Sequence, residues 1–464
     1  MKLLQTEYYF CAIKRSRNFI TFERIALPTS QHYGSVCLVV EALRKRLSTV
    51  WVSQSRATTT LTTLPLDTSK FDVIGNAALW PIAIFTLLHR YFILCVNGNT
   101  TDDFSTVYNA VRRSIEGVAV YSENYYFVDP HYLYNPGATL LLTPVALLSD
   151  ASLARLLFIL VNMLAIIFAI GFLLKSFAGY RLSSLFFPAA LIVAFHTEAV
   201  RNTIVFGNIN GILLLALTTF LWAQWKNKEI IAGIIIGLAI LVKPLFLPLL
   251  FIPFIKVQWK TIVLGIAVPV LMNLIAWNII PQAGDYLSIV TPYLGEVRNY
   301  ANSSLAGVFV YFGFPEWIHK IAFAFFALVI IAGLFFLLRI REKQPLEWAI
   351  YTTSLLLTGV FLLSSLGQMY YSLFLFPLVF TIAKKGSIVA NPVAWIAFYL
   401  CLSADLWESD EWFNFGHWFV TVQATLAWAL LIIVISITAI YWYYSENPTM
   451  KKGSKETHDQ VPIS

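Results

Sequence analysis

The stretch Trp317–Leu338, WIHKIAFAFFALVIIAGLFFLL, decides the fold class, because it is a long apolar segment in which Lys320 is the only formally charged side chain. About 20 apolar residues are enough for a helix to cross the hydrocarbon core of a bilayer. The rest of the chain has the same character: 58% of its 464 residues are hydrophobic and 12% are charged, against about 25% charged in an average soluble domain. The sequence therefore predicts an all-α polytopic membrane protein, because helices satisfy their own backbone hydrogen bonds in lipid.

Apolar stretches of this kind recur along the chain, and their hydropathy predicts about twelve transmembrane helices. Pro136–Leu148 is also apolar but shorter than a full crossing, so it either dips into the membrane and returns or crosses in a thin region. The other expected crossings are Val73–Val96, Ser152–Leu174, Leu182–Ala199, Asn208–Trp225, Ile230–Val242, Leu245–Ile255, Ile262–Ile280, Leu346–Leu366, Met369–Ala383, Pro392–Leu406 and Trp418–Tyr444.

The Lys and Arg residues of the connecting segments fall on one side of the membrane if the crossings alternate and Pro136–Leu148 does not cross. The positive-inside rule assigns that side to the cytoplasm. It places there a basic amino-terminal tail, residues 1–72, expected to be partly disordered, and a carboxyl-terminal tail, residues 445–464. Residues 73–444 then form the transmembrane domain, and its first loop, residues 97–136, faces outward.

This first outward loop is the most polar part of an otherwise apolar chain. Asp102 and Asp103 are followed at helical spacing by Tyr108 and Arg112, so one face of an amphipathic helix presents a carboxylate, a phenol and a guanidinium. A carboxylate at a membrane face can serve as a general base for a hydroxyl acceptor. It can equally cap the helix by accepting from free backbone N–H groups. One aspartate can cap while the other reacts.

Lys243 is a second candidate for chemistry, because it interrupts the otherwise uncharged segment Gly233–Leu250. A lysine at that depth needs an anion or a water-filled cavity, and a lipid phosphate is one such anion. The alternative is a helix-end lysine whose amine reaches the interface. Arg90, inside the first crossing, is also costly unless it meets a partner.

Several amides, carboxylates and tyrosines lie between the later apolar stretches. Such groups can read the hydroxyls of a sugar, or they can satisfy the backbone of a broken helix or belong to an interfacial aromatic belt. The residues with these open alternatives are Glu198, Asn208, Asn210, Asn302, Gln368 and Tyr371.

Five short motifs, in this order and spacing, resemble the GT-C type glycosyltransferases of family 87, which use polyprenyl-phosphate sugars. The resemblance runs from about residue 77 to residue 444. It implies a GT-C architecture with a large first extracytoplasmic loop that bears amphipathic helices, and it makes residues 97–136 the catalytic loop. The motifs are Asp103-Phe-x-x-x-Tyr108, Tyr132-Leu-Tyr-Asn-Pro136, Phe206-Gly-Asn-Ile-Asn210, Ala232-Gly-x-x-x-Gly-Leu-Ala239 with Lys243-Pro244, and Asn302-Ser-Ser-Leu-Ala-Gly307.

Other stretches, including Trp80-Pro81 and Val128-Asp-Pro-His-Tyr-Leu-Tyr134, resemble the family members that place arabinofuranose branches in mycobacterial and corynebacterial cell walls. This resemblance implies a multi-pass protein of the bacterial plasma membrane with its active site on the extracytoplasmic face. It also implies a decaprenylphosphoryl arabinose donor, an arabinan acceptor, and an inverting transfer that forms α-1,3 branches of arabinogalactan or lipoarabinomannan.

The resemblance assigns roles to particular residues. The family's catalytic carboxylate falls on Asp103, with Asp102 as the alternate. Neither a metal nor another cofactor is expected in this scheme. The donor phosphate would be neutralised by Lys243, His131, Arg90 and Arg112. The sugar and the acceptor would contact Tyr108, Tyr134, Glu198, Asn208, Asn210, Asn302, Gln368 and Tyr371.

Other classes of function are weighed against this hypothesis. A mannosyltransferase that uses polyprenyl-phosphate mannose would have the same architecture and a different sugar pocket. A lipid or sugar transporter or flippase also predicts a polytopic chain, but transporters often show matching halves, and the sequence shows no internal repeat. The net charge of +7 follows from the basic cytoplasmic clusters, so nucleic-acid binding is not expected. The four cysteines form no C-x-x-C pair.

Overall fold

The computed structural model describes residues 12–16, 19–23, 69–96, 102–125 and 131–446. The chain divides into two units, residues 1–55 and 56–464. Most of the two expected tails, residues 1–72 and 445–464, lies outside the described residues, as do residues 97–101 and 126–130 of the first polar loop.

A short hairpin lies in the amino-terminal unit. Strand β1 (Ala12–Ser16) pairs antiparallel with strand β2 (Phe19–Glu23), and their register sets Ala12 opposite Glu23. The sequence of β2, FITFE, is rich in the aromatic and β-branched residues that favour strands. The sequence prediction contained no strand here, because five residues are too few to stand out from a Ser- and Thr-rich segment.

The second unit is built from helices. The α-helices of its first half are α1 (Ser69–His89), α2 (Asp103–Ile115), α3 (Pro136–Leu142), α4 (Ala151–Phe172), α5 (Phe186–His196), α6 (Glu198–Val205), α7 (Asn210–Trp225), α8 (Glu229–Val242) and α9 (Phe251–Ile255). Those of its second half are α10 (Trp259–Trp277), α11 (Thr291–Gly295), α12 (Leu305–Tyr311), α13 (Glu316–Leu337), α14 (Pro345–Leu363), α15 (Phe376–Val379), α16 (Pro392–Leu402) and α17 (Phe413–Glu446). Turns of 3₁₀-helix occupy Thr143–Ala146, Pro244–Leu250, Leu338–Ile340, Met369–Leu375 and Phe380–Ala383, and turns of π-helix occupy Arg90–Leu94, Leu173–Ala178 and Tyr286–Val290.

Six helices of the described part are long and apolar enough to span a membrane. The helical class of the prediction is therefore confirmed, whereas the count of about twelve crossings is not. Seven further apolar helices have only 10–17 residues, and several of them begin at or contain a proline, which shortens a helix. The long ones are Asp72–Leu94, Ala151–Ala178, Trp259–Trp277, Glu316–Ile340, Pro345–Leu363 and Phe413–Ser445.

Helix α8 packs closely against α10 through two glycines. A Cβ atom at Gly233 would lie 2.7 Å from Cβ of Leu264, and one at Gly237 would lie 2.8 Å from Cβ of Val268. In membranes, small residues let helices approach each other and gain van der Waals contact. The Ala232-Gly-x-x-x-Gly motif is therefore a packing motif that fixes α8 in place.

The end of α8 positions Lys243. Pro244 cannot continue the α-helix because its ring clashes with the preceding turn and it has no backbone N–H. Lys243 accordingly has an extended backbone, with φ −136° and ψ 105°, as residues before proline prefer. The chain then continues as the 3₁₀ turn Pro244–Leu250, so the Lys243 side chain leaves the helix at a break.

Helix α3 joins this break to the polar loop. Asn135 caps α3 by accepting from Ala138 N at 2.9 Å, and its amide donates to the carbonyl of Leu241 at 2.7 Å. The N–H of Gly137 donates to Oδ1 of Asn273 on α10 at 2.9 Å. The segment that carries Tyr134 is thus held against the carboxyl end of α8.

Helices α14 and α17 form the most buried part of the second half. Trp348 and Trp428 are fully buried there. The indole of Trp428 donates to Oγ of Ser372 at 3.0 Å, and a buried indole N–H needs such a partner. This bond anchors the 3₁₀ turn Met369–Leu375, which carries two tyrosines of the candidate site.

Candidate active site

Asp102 is the cap of helix α2. Its carboxylate accepts from Ser105 N at 2.8 Å, and Oγ of Ser105 accepts from Asp102 N at 2.9 Å, a reciprocal capping box. Asp102 is buried, and the Arg155 guanidinium lies 2.8 Å from its Oδ2. The carboxylate of Asp102 is therefore engaged by the protein itself.

Asp103, the next residue, faces a different environment. Burial raises the pKa of its carboxyl, and the Asp102 charge adds to that rise. The Lys243 ammonium is the largest opposing influence, with smaller contributions from Asn208 and Arg298. Its side chain keeps part of its surface accessible. Asp103 thus belongs to a cluster of polar side chains, which we call the recess, in which a carboxylate is held beside cations. Such surroundings suit a general base.

Lys243 reaches the same recess from the end of α8. Its Nζ donates to Oδ1 of Asn210 at 2.7 Å. It also lies over the rings of Tyr371 and Tyr370, at 4.9 and 5.8 Å from their centroids, within the range of a cation–π attraction. Both tyrosines are within electrostatic range of Asp103. The ammonium is therefore fixed by an amide and two ring faces.

Asn208 and Asn210 enter the recess from the turn between α6 and α7. Gly207 in this turn has φ +60°, and a Cβ there would lie 2.7 Å from Cβ of Phe104, so only glycine fits. Phe104 N donates to Phe206 O at 3.0 Å, and this backbone hydrogen bond connects the turn to the start of α2. The motif Phe206-Gly-Asn-Ile-Asn210 therefore forms a tight turn that positions two amide side chains in the recess with Asp103.

Two of the amide donors in this turn are unused. Both Asn208 and Asn210 are buried, and the Nδ2 atom of each has no hydrogen-bond partner among the described residues. Asn208 faces Asp103 without completing a hydrogen bond to it. Buried amide nitrogens without acceptors are costly, so they indicate that a ligand with oxygen acceptors binds here.

Tyr134 and Arg298 complete the group. The charge of Asp103 is close enough to raise the pKa of the Tyr134 phenol, after the larger effect of burial. Arg298 comes from the loop after α11, and Nδ2 of Asn302 donates to its carbonyl at 3.1 Å. Tyr134 was predicted from the sequence as a contact of the sugar or the acceptor, whereas Arg298 was not among the predicted site residues. Its position just before the Asn302-Ser-Ser motif was the available signal, since that motif shapes its loop.

The structure brings six of the predicted residues into this recess, together with Tyr370 and Arg298, which were not among the predicted site residues. They come from helix ends and turns that are far apart in the sequence, so the site forms only in the folded chain. The six are Asp103, Tyr134, Asn208, Asn210, Lys243 and Tyr371.

Three other predicted residues belong to the polar loop and make contacts outside the recess. The phenol of Tyr108 donates to the carbonyl of Leu148 at 2.7 Å, which connects α2 to the segment between α3 and α4. Arg112 forms an exposed pair with Glu116 at 2.8 Å. His131 lies against the rings of Tyr125 and Tyr293, and 3.8 Å from Glu123.

The remaining predicted residues support nearby segments. Asn302 bonds to the backbone of Ser365 and Gly367 as well as of Arg298, and half-buried Gln368 directly precedes the turn with Tyr370 and Tyr371.

A second polar cluster surrounds Glu198. Asn202 donates to its Oε1 at 2.5 Å, while Oε2 has no hydrogen-bond partner within the described chain. Burial raises the pKa of Glu198 to about 8. Arg201 is its nearest cation, and the predicted phosphate ligand Arg90 lies close to Arg201 and donates to Phe195 O at 2.9 Å.

Comparison with known proteins shows the family of the chain. Residues 132–365 match the model of Glycosyltransferase family 87. The chain belongs to this family. A family 87 protein of Corynebacterium glutamicum, the alpha-(1->3)-arabinofuranosyltransferase, is 48% identical over 398 residues, which cover 85% of this chain and 95% of the relative.

Two more distant relatives carry the same name. That of Mycolicibacterium smegmatis is 39% identical over 376 residues, and that of Mycobacterium tuberculosis is 38% identical over 377 residues. Each match covers 80% of this chain and 86% of the relative. The predicted family 87 membership is thus confirmed: the chain is a membrane glycosyltransferase.

Proposed function

We propose that this family 87 chain transfers D-arabinofuranose from decaprenylphosphoryl arabinose to an arabinan acceptor and forms α-1,3 branches in the cell wall. The observation that carries the proposal is the recess in which Asp103 faces Lys243, beside two buried amide nitrogens without partners. The names of the relatives support arabinofuranose as the sugar and α-1,3 as the linkage.

In the proposed reaction, the acceptor oxygen attacks the anomeric carbon while the bond from that carbon to the phosphate oxygen breaks. Asp103 takes the proton of the acceptor hydroxyl, and the bonding electrons leave with the polyprenyl phosphate. Attack from the face opposite the phosphate converts a β-linked donor into an α-linked product. The step conserves charge, because Asp103 loses its negative charge on taking the proton while the departing phosphate gains one.

Lys243 and Arg298 are placed to stabilise the departing phosphate. Both cations act on Asp103, so both lie near the position where negative charge develops. Preorganised cations at such a position lower the barrier more than they would in water. The unpaired Nδ2 atoms of Asn208 and Asn210 can donate to phosphate or sugar oxygens, which fixes the donor for attack.

An apolar cavity supports a lipid-linked donor. It has a volume of about 650 Å³ and lies among α3, α4, α7 and α8. Its lining includes Val242, the residue before Lys243, and Ile209, between Asn208 and Asn210. An isoprenoid chain whose phosphate contacts Lys243 would therefore lie directly in this cavity, where its burial is favourable.

The proposed location is the bacterial plasma membrane, with the recess on the extracytoplasmic face. The asymmetry of the basic residues supports this orientation: Lys226, Lys256 and Arg339 lie in connections that alternate with those carrying Asp103 and Arg298. A polymeric acceptor outside the cell would reach the recess from that side.

The deciding experiment supplies purified protein in nanodiscs with labelled decaprenylphosphoryl arabinose or decaprenylphosphoryl mannose and a linear oligoarabinoside. We expect arabinose transfer, with methylation analysis of the product showing 3-linked branches. Transfer of mannose alone would replace the proposal by a mannosyltransferase. Transfer of neither sugar, with movement of the labelled lipid between leaflets, would replace it by a flippase.

A further inference from the structure

Arg155 on α4 connects three distant segments at the edge of the recess. Its Nε donates to Oδ2 of Asp102 at 2.9 Å, and its Nη2 lies 2.8 Å from the same oxygen in an ion pair. Its Nη2 also donates to Val205 O at 2.6 Å, and its Nη1 donates to Cys95 O. One guanidinium thus holds the end of the first membrane helix, the start of α2 and the end of α6.

This arrangement bears on Asp103 through the backbone. Asp102 is the cap residue directly before Asp103, and Val205 leads into the turn with Asn208 and Asn210. Arg155 therefore links the helix that carries the base to the turn that carries the two amides. Its Nε would lie 3.8 Å from a Cβ at Gly207, so the guanidinium packs under the turn itself.

Arg155 also bears on Asp103 through charge. Adjacent carboxylates oppose each other's ionisation, and the Asp102 charge does raise the pKa of Asp103. The Asp102 side chain is only 1% exposed and that of Arg155 16%, so water screens this pair weakly. The Arg155 guanidinium neutralises the Asp102 charge through the ion pair, and so reduces the repulsion that this charge exerts on an ionised Asp103.

We infer that Arg155 is a positioning residue for catalysis, which fixes the start of α2 and neutralises Asp102 so that Asp103 can ionise beside it. This inference rests on the proposed function in one respect, that Asp103 is the base. The other titratable and charged groups that face Asp103 are Lys243, Arg298, Tyr134, Tyr370 and Tyr371. None of them contacts Asp102 directly in the hydrogen bonds and ion pairs of the described chain.

The test measures kcat and KM against pH for arabinosyl transfer by the full chain in nanodiscs. Arg155→Gln leaves Asp102 uncompensated, so the acidic limb of the kcat profile should move up by about one pH unit or more. At pH 7, kcat should fall about tenfold or more, with the donor KM within about threefold, because the loss is in base ionisation and alignment.

Two companion variants separate charge from structure. Arg155→Gln combined with Asp102→Asn removes both charges and should return the acidic limb to its original position, without full recovery of kcat. Asp102→Asn alone keeps a good cap residue and leaves the guanidinium uncompensated, so its acidic limb should move to lower pH. This single variant decides the point if Arg155→Gln does not fold.

Acidic limbs that stay in place for Arg155→Gln and for Asp102→Asn would overturn the inference. The same holds if the folded fraction of Arg155→Gln, isolated by gel filtration, keeps the kcat and the acidic limb of the wild type. Failure of the proposed function is distinguishable, because wild-type protein would then transfer no arabinose, or Asp103→Asn would retain full activity.

Discussion

Asp103 and Glu198 are two carboxyl groups in polar parts of the same chain; burial raises the pKa of both, and their surroundings differ. Asp103 faces Lys243 and Arg298, which favour its ionised form against the effect of burial. Glu198 accepts one hydrogen bond from Asn202, and burial raises its pKa to about 8. At neutral pH, Glu198 is therefore mostly protonated. The two sites differ in the cations around the carboxyl group: Lys243 and Arg298 act on Asp103, whereas Arg201 acts on Glu198.

The largest effect should come from replacing each carboxylate by its amide. Asp103→Asn removes the base, and we expect kcat to fall about a thousandfold, since a positioned general base contributes about 10² to 10⁴. Glu198→Gln is the matched control and should stay within about threefold of wild type. Transfer rates at saturating donor measure both. Comparable losses in the two variants would show that the carboxylates are not functionally different.

Lys243→Met should have the next largest effect. Methionine has similar length but cannot neutralise the leaving phosphate or donate to Asn210, so kcat should fall about a hundredfold. Lys243→Arg keeps the charge and should recover part of the loss. An increase in donor KM with unchanged kcat would instead mean that Lys243 binds ground state and transition state equally.

Filling the apolar cavity should have a more selective effect. Ala216 lines the cavity, and Ala216→Phe should raise the KM for decaprenylphosphoryl arabinose about tenfold by excluding part of the chain. A donor with two isoprene units should be nearly unaffected. Val263→Phe, on an exposed part of α10, is the control for an added ring. Equal effects on long and short donors would place the lipid elsewhere.

The smallest effect concerns stability. The folded-state pKa of Glu198, about 8, lies above its ordinary value of 4.5. Its contribution to stability is therefore complete below about pH 4.5 and is lost as pH rises through about 8. Glu198→Gln lacks this loss, so its Tm relative to wild type should increase by a few degrees between pH 5 and pH 8.5 at one heating rate. A constant difference would contradict the raised pKa.

The part of the site that sequence could predict consists of polar residues that interrupt or separate apolar segments, where a polar side chain is costly unless it has a function. Lys243 was identified because it interrupts an apolar segment, and Asn208 and Asn210 because amides lie between two apolar helices. The choice of Asp103 over Asp102 came from the family resemblance. In the structure the two differ by their partners, since Asp102 caps α2 and pairs with Arg155.

The part that sequence could not predict depends on contacts between distant segments. Arg155 lies near the start of an apolar helix, where a charge normally marks only the membrane boundary. Its partners Cys95 and Val205 are 60 and 50 residues away. The predicted count of about twelve crossings is not confirmed for a related reason, because hydropathy records apolar length while prolines such as Pro244 divide the helices.

The recess combines side chains from residue 103 to residue 371, which has a consequence for biosynthesis. Membrane proteins are made from the amino end, and their early segments fold first. The base on α2 is therefore inserted long before Tyr370 and Tyr371, whose turn is anchored by Trp428 on the last helix. A nascent chain that ends before α17 carries Asp103 but lacks the helix that anchors the turn with Tyr370 and Tyr371, so the recess is completed only when the last helix has been made.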